Sequence, residues 1–182
     1  MNRVQPIRSQ LQIAQMKEHL RARSERDYMI FVLGINVGVR IGDLLKLMVG
    51  QVQGSHVNII EEKRGKNRVH LINHQLRQEL DAYISSQNLR PDDYLFRSRQ
   101  GGNRPITRVQ AYRILRNAAE SLSIENVGTH TLRKTFGYWH YRQFGDVALL
   151  QTVFRHSSPA ETLRYIGIQQ DEIDESTRAF FL

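Results

Sequence analysis

The chain has 182 residues and no cysteine, and 26 Lys+Arg stand against 18 Asp+Glu, a formal net charge of +8. That length suits one domain built on a single core, and 40% hydrophobic with 24% charged residues describe a folded globule, not a disordered tail. The lack of cysteine excludes a disulfide scaffold, a thiol nucleophile and cysteine-ligated metal sites. No apolar run approaches the roughly 18–20 residues that span a bilayer, and the N-terminus has no signal-peptide core, so a cytoplasmic protein is expected.

Apolar positions at Leu11, Ile13, Ala14, Met16 and Leu20 predict a helix over 9–22 with Ser9 as its cap. Ser24 caps a second, carrying Tyr28, Ile30, Phe31, Leu33 and Ile35 and ending near Gly38. A third opens near Arg40 and presents Ile41, Leu44, Leu45 and Met48. The period then changes. Val52, Val57 and Ile59, then Val69 and Leu71, read as a small antiparallel sheet whose turn, Lys63-Arg64-Gly65-Lys66-Asn67, is basic. Helical spacing returns at 74–86, followed by a loop with Pro91, Gly101, Gly102 and Pro105. Thr107 caps an amphipathic helix over 107–122, and further helices are predicted over 130–143, 146–154, 159–166 and 171–178. The fold class is mainly α with a small antiparallel β-sheet insert.

The positive charge is concentrated. Residues 1–30 sum to +3, residues 61–77 to +3 and residues 90–116 to +5, whereas residues 146–182 sum to −3. Arginine dominates the middle, and its planar fork suits phosphate oxygens, so a polyanionic partner is expected.

Four stretches carry chemistry. In Gly38-Val39-Arg40-Ile41-Gly42-Asp43, a carboxylate three residues after Arg40 can orient its guanidinium. The second is the turn with Lys63 and Lys66. In Gly128-Thr129-His130-Thr131-Leu132-Arg133, Thr129 can cap a helix whose first turn presents His130 and Arg133 at an anion-attracting end. The fourth, His156-Ser157-Ser158-Pro159, is followed by Thr162 and Tyr165. Nine residues at about 100° each place His156 and Tyr165 on opposite faces of one continuous helix. Pro159 starts a new helix instead, so His156 can end one element while Tyr165 projects from the next. Each group also has an ordinary reading: an Arg40–Asp43 ion pair, solvated hairpin lysines, capping by His130 and Arg133, a packing tyrosine.

As an ordered set, Arg40 in Gly-x-Arg-Ile-x-Asp-Leu, a turn lysine, His130-x-x-Arg133, His156 and Tyr165 resembles the tyrosine recombinase (phage integrase) family, over roughly residues 7–178. Leu95-Phe96 and Pro105-Ile106-Thr107 are similar to the family's intervening pattern. The resemblance implies a recombinase catalytic fold acting on double-stranded DNA. The phenol of Tyr165 would attack a phosphodiester, leaving a 3′-phosphotyrosyl link and a free 5′-hydroxyl. Arg40 and Arg133 would clamp the non-bridging oxygens. Lys63, with Lys66 as the second candidate, would protonate the leaving oxygen, and His130 and His156 would move protons or bond the phosphate. Because the covalent link conserves the phosphodiester's energy, the resemblance implies neither nucleotide cofactor nor metal. It also implies association with the nucleoid.

Two departures matter. The family has Leu-Gly-His where this chain has Phe154-Arg155-His156, and Arg155 either crowds the phosphate or adds a contact to it. Related recombinases carry an N-terminal core-binding domain of about a hundred residues. The expectation here is a single catalytic domain over 1–182 without it, whether excised or naturally short. Both departures motivate the alternative of a catalytically weak or inactive integrase-like DNA-binding or regulatory protein. A type IB topoisomerase-like relaxing activity is a third reading. The acidic end, with Ile173, Phe180, Phe181 and Leu182, reads as a segment for self-association on DNA or for packing on its own domain.

Overall fold

The computed structural model describes residues 4–60 and 67–181. Ser9 Oγ accepts the Gln12 N–H and opens α1 (Gln10–Arg23). Ser24 then serves twice: its N–H donates to the Leu20 carbonyl to close α1, and its hydroxyl accepts the Asp27 N–H to open α2 (Glu25–Val37). An unbroken apolar run, Tyr28 to Leu33, makes α2 the central helix, buried nearly all round. It ends at Gly38, with φ 67°, where a Cβ would lie 2.2 Å from Phe136 Cδ1. Both the left-handed turn and the close ring require glycine there.

The third helix is shorter than expected, α3 (Ile41–Leu44). Met48 is not on it. The backbone leaves the helix to bond the segment 93–95, with Leu95 N–H on the Leu47 carbonyl at 2.8 Å, Val49 N–H on the Asp93 carbonyl at 3.0 Å and a bridge from Met48 to Tyr94. Val52 is likewise not in a strand but ends a 3-10 turn, Val49–Val52, fully buried. Strands β1 (His56–Ile60) and β2 (Asn67–Leu71) pair antiparallel with His56 opposite Leu71 and Ile60 opposite Asn67. Alternation puts Val57 and Ile59 in the core, while Val69 and Leu71 face outward.

Asn73 caps α4 (His74–Ser86), and Thr107 with Gln110 forms a reciprocal capping box on α5 (Arg108–Ser121). In α6 (Thr129–Phe144) the cap is Gly128, not Thr129, and its N–H donates to Thr131 Oγ1 at 3.0 Å. Asp146 caps α7 (Val147–Phe154) and Ser158 caps α8 (Pro159–Ile166), with Pro159 in the first turn. Gly167, at φ 86°, ends α8 and starts α9 (Ile168–Ala179), so the last helix begins before the expected 171.

Among the described residues the buried side chains form two clusters. The larger is built from α1 to α5 and the sheet; the smaller gathers Tyr138, Leu150, Phe154, Ile166 and Ile168. Helix α6 joins them, because Leu132 belongs to the first and Tyr138 to the second. Gly137 is the point of closest approach: a Cβ there would lie 2.6 Å from Ile166 and 2.7 Å from Phe154. Gly137→Ala is therefore expected to push α7 and α8 off α6, costing about 1–3 kcal/mol. Thermal unfolding by circular dichroism should show a Tm several degrees below wild type; an unchanged Tm would remove this packing constraint.

Candidate active site

Arg133 sits in the second turn of α6 and is 4% exposed. Its guanidinium donates to the Gly38 carbonyl at 2.6 Å through Nη1 and to the Phe154 carbonyl at 3.1 Å through Nη2. It also lies 4.4 Å from the Phe154 ring centroid, a stacking arrangement that favours arginine. One side chain thus binds the residue that ends α2 to the residue that ends α7. Arg40 is two residues beyond Gly38, at the cap of α3, exposed, with half-buried Asp43 in the same turn.

His156 and Tyr165 do converge. The chain turns at Arg155, a left-handed residue with φ 54°, and Pro159 begins the next helix. The His156 and Tyr165 rings meet edge-on with centroids 5.0 Å apart, and each packs on Phe154, at 5.4 and 5.5 Å. The turn between them is pinned. Glu161 Oε2 accepts the Ser157 N–H and hydroxyl, both at 2.7 Å, while Ser158 Oγ accepts the Glu161 N–H at 3.1 Å. His156 Nδ1 lies 3.1 Å from Thr162 Oγ1.

Charge and burial oppose each other at Tyr165. Burial raises its pKa above the usual 10, while the positive charges of Arg133 and Arg40 and a hydrogen bond from Arg133 pull it down. His130 has its pKa lowered by partial desolvation and then by the positive charges of Lys134, Arg133 and Arg40. His156 is lowered chiefly by burial, with Arg133 and Arg40 adding to it and Glu161 opposing. These shifts share their charged neighbours: His130, His156 and Tyr165 all lie within electrostatic reach of Arg133 and Arg40. Lys63 and Lys66 lie outside the described residues.

The sequence reasoning missed three members. Lys134 Nζ stands 5.0 Å from the Tyr165 ring centroid; its spacing four residues after His130 was the available signal. Phe154, fully buried, is the floor on which Arg133, His156 and Tyr165 all rest. Thr162, buried and lying between His156 and Tyr165 in sequence, meets His156 Nδ1 through its hydroxyl, a role its spacing does not signal. Of the arginines in 90–116, Arg97 pairs with Asp93 at 3.3 Å and Arg116 with Glu120 at 2.6 Å, while Arg90, Arg99, Arg104 and Arg113 are exposed. At the other end, α9 is tied to its own domain by Arg8–Asp171 at 3.0 Å, and Phe180 and Phe181 are exposed. Among the described residues no three His, Asp or Glu side chains group to hold a metal ion, and no helix is long and apolar enough to cross a membrane.

A tyrosine flanked by two arginines and two histidines on a helical domain with a small sheet defines a class: enzymes that break and rejoin DNA strands through tyrosine. The chain belongs to the phage integrase family, whose model matches residues 9–172, and is a tyrosine-type site-specific DNA recombinase. It is 45% identical over 181 residues to the probable integrase/recombinase YoeC of Bacillus subtilis (strain 168), covering 99% of this chain and 98% of that one. It is 28% identical over 153 residues to a tyrosine recombinase of Pseudothermotoga lettingae, covering 82% of this chain but 52% of the relative. The crystal structure of XerA recombinase superposes with a TM-score of 0.76 at 25% identity, over 97% of this chain and 67% of that one.

The lowered pKa values of His130, His140 and His156 fix a sign. The unfolded chain binds their protons more readily, so stability rises with pH through the window below the unfolded value of 6.5. The expected Tm is therefore lower at pH 5.5 than at pH 7.5, and NMR titration of the ring signals should give midpoints below 6.5 for all three. A Tm that rises on acidification would contradict this environment.

Proposed function

We propose that this recombinase cleaves double-stranded DNA by attack of the Tyr165 phenol on a backbone phosphorus. The Tyr165 Oη–P bond forms as the phenolic proton passes to a neighbouring imidazole, and the P–O5′ bond breaks with its electron pair leaving on the 5′-oxygen, which takes a proton from the lysine acid. Rejoining is the reverse, with a 5′-hydroxyl attacking the phosphotyrosine. The observation that carries the reading is Tyr165 packed edge-on against His156, ring centroids 5.0 Å apart, with the positive charges of Arg133 and Arg40 acting on its phenol. A phenol raised by burial loses its proton only against such cations.

The same two guanidiniums meet the charge that gathers on the non-bridging oxygens in the transition state, held in place before the reaction starts. His156, beside the nucleophile, and His130, at the start of α6, supply the proton-transfer and hydrogen-bonding groups. Lys63 is the acid for the 5′-oxygen, with Lys66 the other candidate. The exposed arginines of 90–116 attract the flanking phosphates, giving salt-dependent binding. Phe180 and Phe181, exposed beyond α9, support self-association on DNA through the C-terminal segment. A DNA substrate places the enzyme in the cytoplasm with the nucleoid.

On nicked DNA carrying its site, the enzyme should form a denaturant-resistant covalent adduct, absent in Tyr165→Phe; an adduct that persists in that variant would falsify the assignment. Arg40→Ala should slow single-turnover cleavage roughly a hundredfold to a thousandfold; cleavage at the wild-type rate would remove Arg40 from the site. A substrate with sulfur in place of the 5′-bridging oxygen needs no acid, because a thiolate leaves unprotonated. It should restore cleavage to Lys63→Ala; restoration of Lys66→Ala instead would reassign the acid.

A further inference from the structure

The contact that holds His156 has a direction. Thr162 is fully buried on α8, one turn before Tyr165. Its hydroxyl lies 3.2 Å from the Ser158 carbonyl and 3.1 Å from His156 Nδ1. A carbonyl only accepts, and a hydroxyl has one proton to donate. With that proton on Ser158, the back-bond a threonine makes to the residue four before it, the Thr162 oxygen faces the ring as an acceptor. Nδ1 must then carry hydrogen, and the other ring nitrogen is left for the reacting groups.

We propose that Thr162 is the positioning residue that fixes His156 in the tautomer protonated at Nδ1, presenting Nε2 to the scissile phosphate. The inference rests on the strand-cleavage reading above. The same hydroxyl ties the histidine to the helix that carries the nucleophile, so His156 and Tyr165 move as one body. The fit is sequence-specific in an elementary way: valine has the shape of threonine without the acceptor, and serine keeps the acceptor with less bulk. The groups that face His156 are Glu161 and Tyr165 on α8, Phe154 at the end of α7, Arg133 on α6 and Arg40 at the start of α3. Of these, the two arginines disfavour the imidazolium and Glu161 favours it. Thr162 accepts from Nδ1 in both protonation states, and more strongly from the cation.

The test joins a spectrum to a rate, on the full chain. Long-range proton–nitrogen NMR of the His156 ring should show the neutral form of the wild type protonated at Nδ1. In Thr162→Val that tautomer should give way to Nε2–H or a mixture. Single-turnover cleavage should slow about tenfold, the effect of one lost hydrogen bond at a reacting group. The pH limb belonging to His156 should move to lower pH. Thr162→Ser should restore tautomer, rate and pH limb together. A Thr162→Val protein with the wild-type tautomer and pH profile overturns the proposal. So does a wild-type ring protonated at Nε2, which needs no variant to fold. Should the wild type form no adduct on any substrate, the strand-cleavage reading fails, and the ring spectrum still decides the Thr162 contact.

Discussion

Among the described residues one cation, Arg133, is buried, and it organises this structure. Its guanidinium meets two main-chain carbonyls, Gly38 and Phe154, that lie 116 residues apart in the chain, one at the end of α2 and the other at the end of α7. Gly38 precedes Arg40, and Phe154 precedes His156. Buried charges persist only when hydrogen-bonded, and here the bonds that satisfy the arginine are the ones that fix the site. The same guanidinium stacks on the Phe154 ring and acts on the Tyr165 hydroxyl, the nucleophile of the proposed reaction.

Tyr165, the proposed nucleophile, packs against the smaller core. Tyr165, His156 and Arg133 all rest on Phe154, and Gly137 lets α7 and α8 approach α6 closely enough for that ring to touch all three. Burial alone would make the phenol a poor nucleophile by raising its pKa. Arg133 and Arg40 act against that rise, and in the proposed reaction the same two groups would meet the transition-state charge. The proposed reaction, whose covalent work falls on one tyrosine, would then be carried by positioning and electrostatics.

Much of this was legible in the sequence because it depends on local rules. Ser9, Ser24 and Thr107 cap the helices their spacing assigned them, and Pro159 broke the helix between His156 and Tyr165, allowing convergence that a continuous helix forbids. What sequence periodicity missed was decided by distant partners. Met48 has the helical spacing to extend α3, but the segment around Tyr94 claims its backbone. Val52 looks like a strand residue and is buried in a 3-10 turn. Thr129 was a plausible cap, yet Gly128 takes the role while Thr131 satisfies its N–H. Lys134, Phe154 and Thr162 gain meaning only from the ring and hydroxyl they meet across elements. No pattern along the chain encodes a 3.1 Å contact between an imidazole and a buried hydroxyl.

The tie between α2 and α7 can be read most directly from the Tm of Arg133→Lys. Lysine keeps the charge but cannot donate in a planar fork to both carbonyls. Losing one charged hydrogen bond and leaving a carbonyl unsatisfied costs about 2–3 kcal/mol, so a Tm lower by roughly 5–10 °C is expected for a chain of this size. A Tm equal to that of the wild type would contradict the claim that this guanidinium holds the site together.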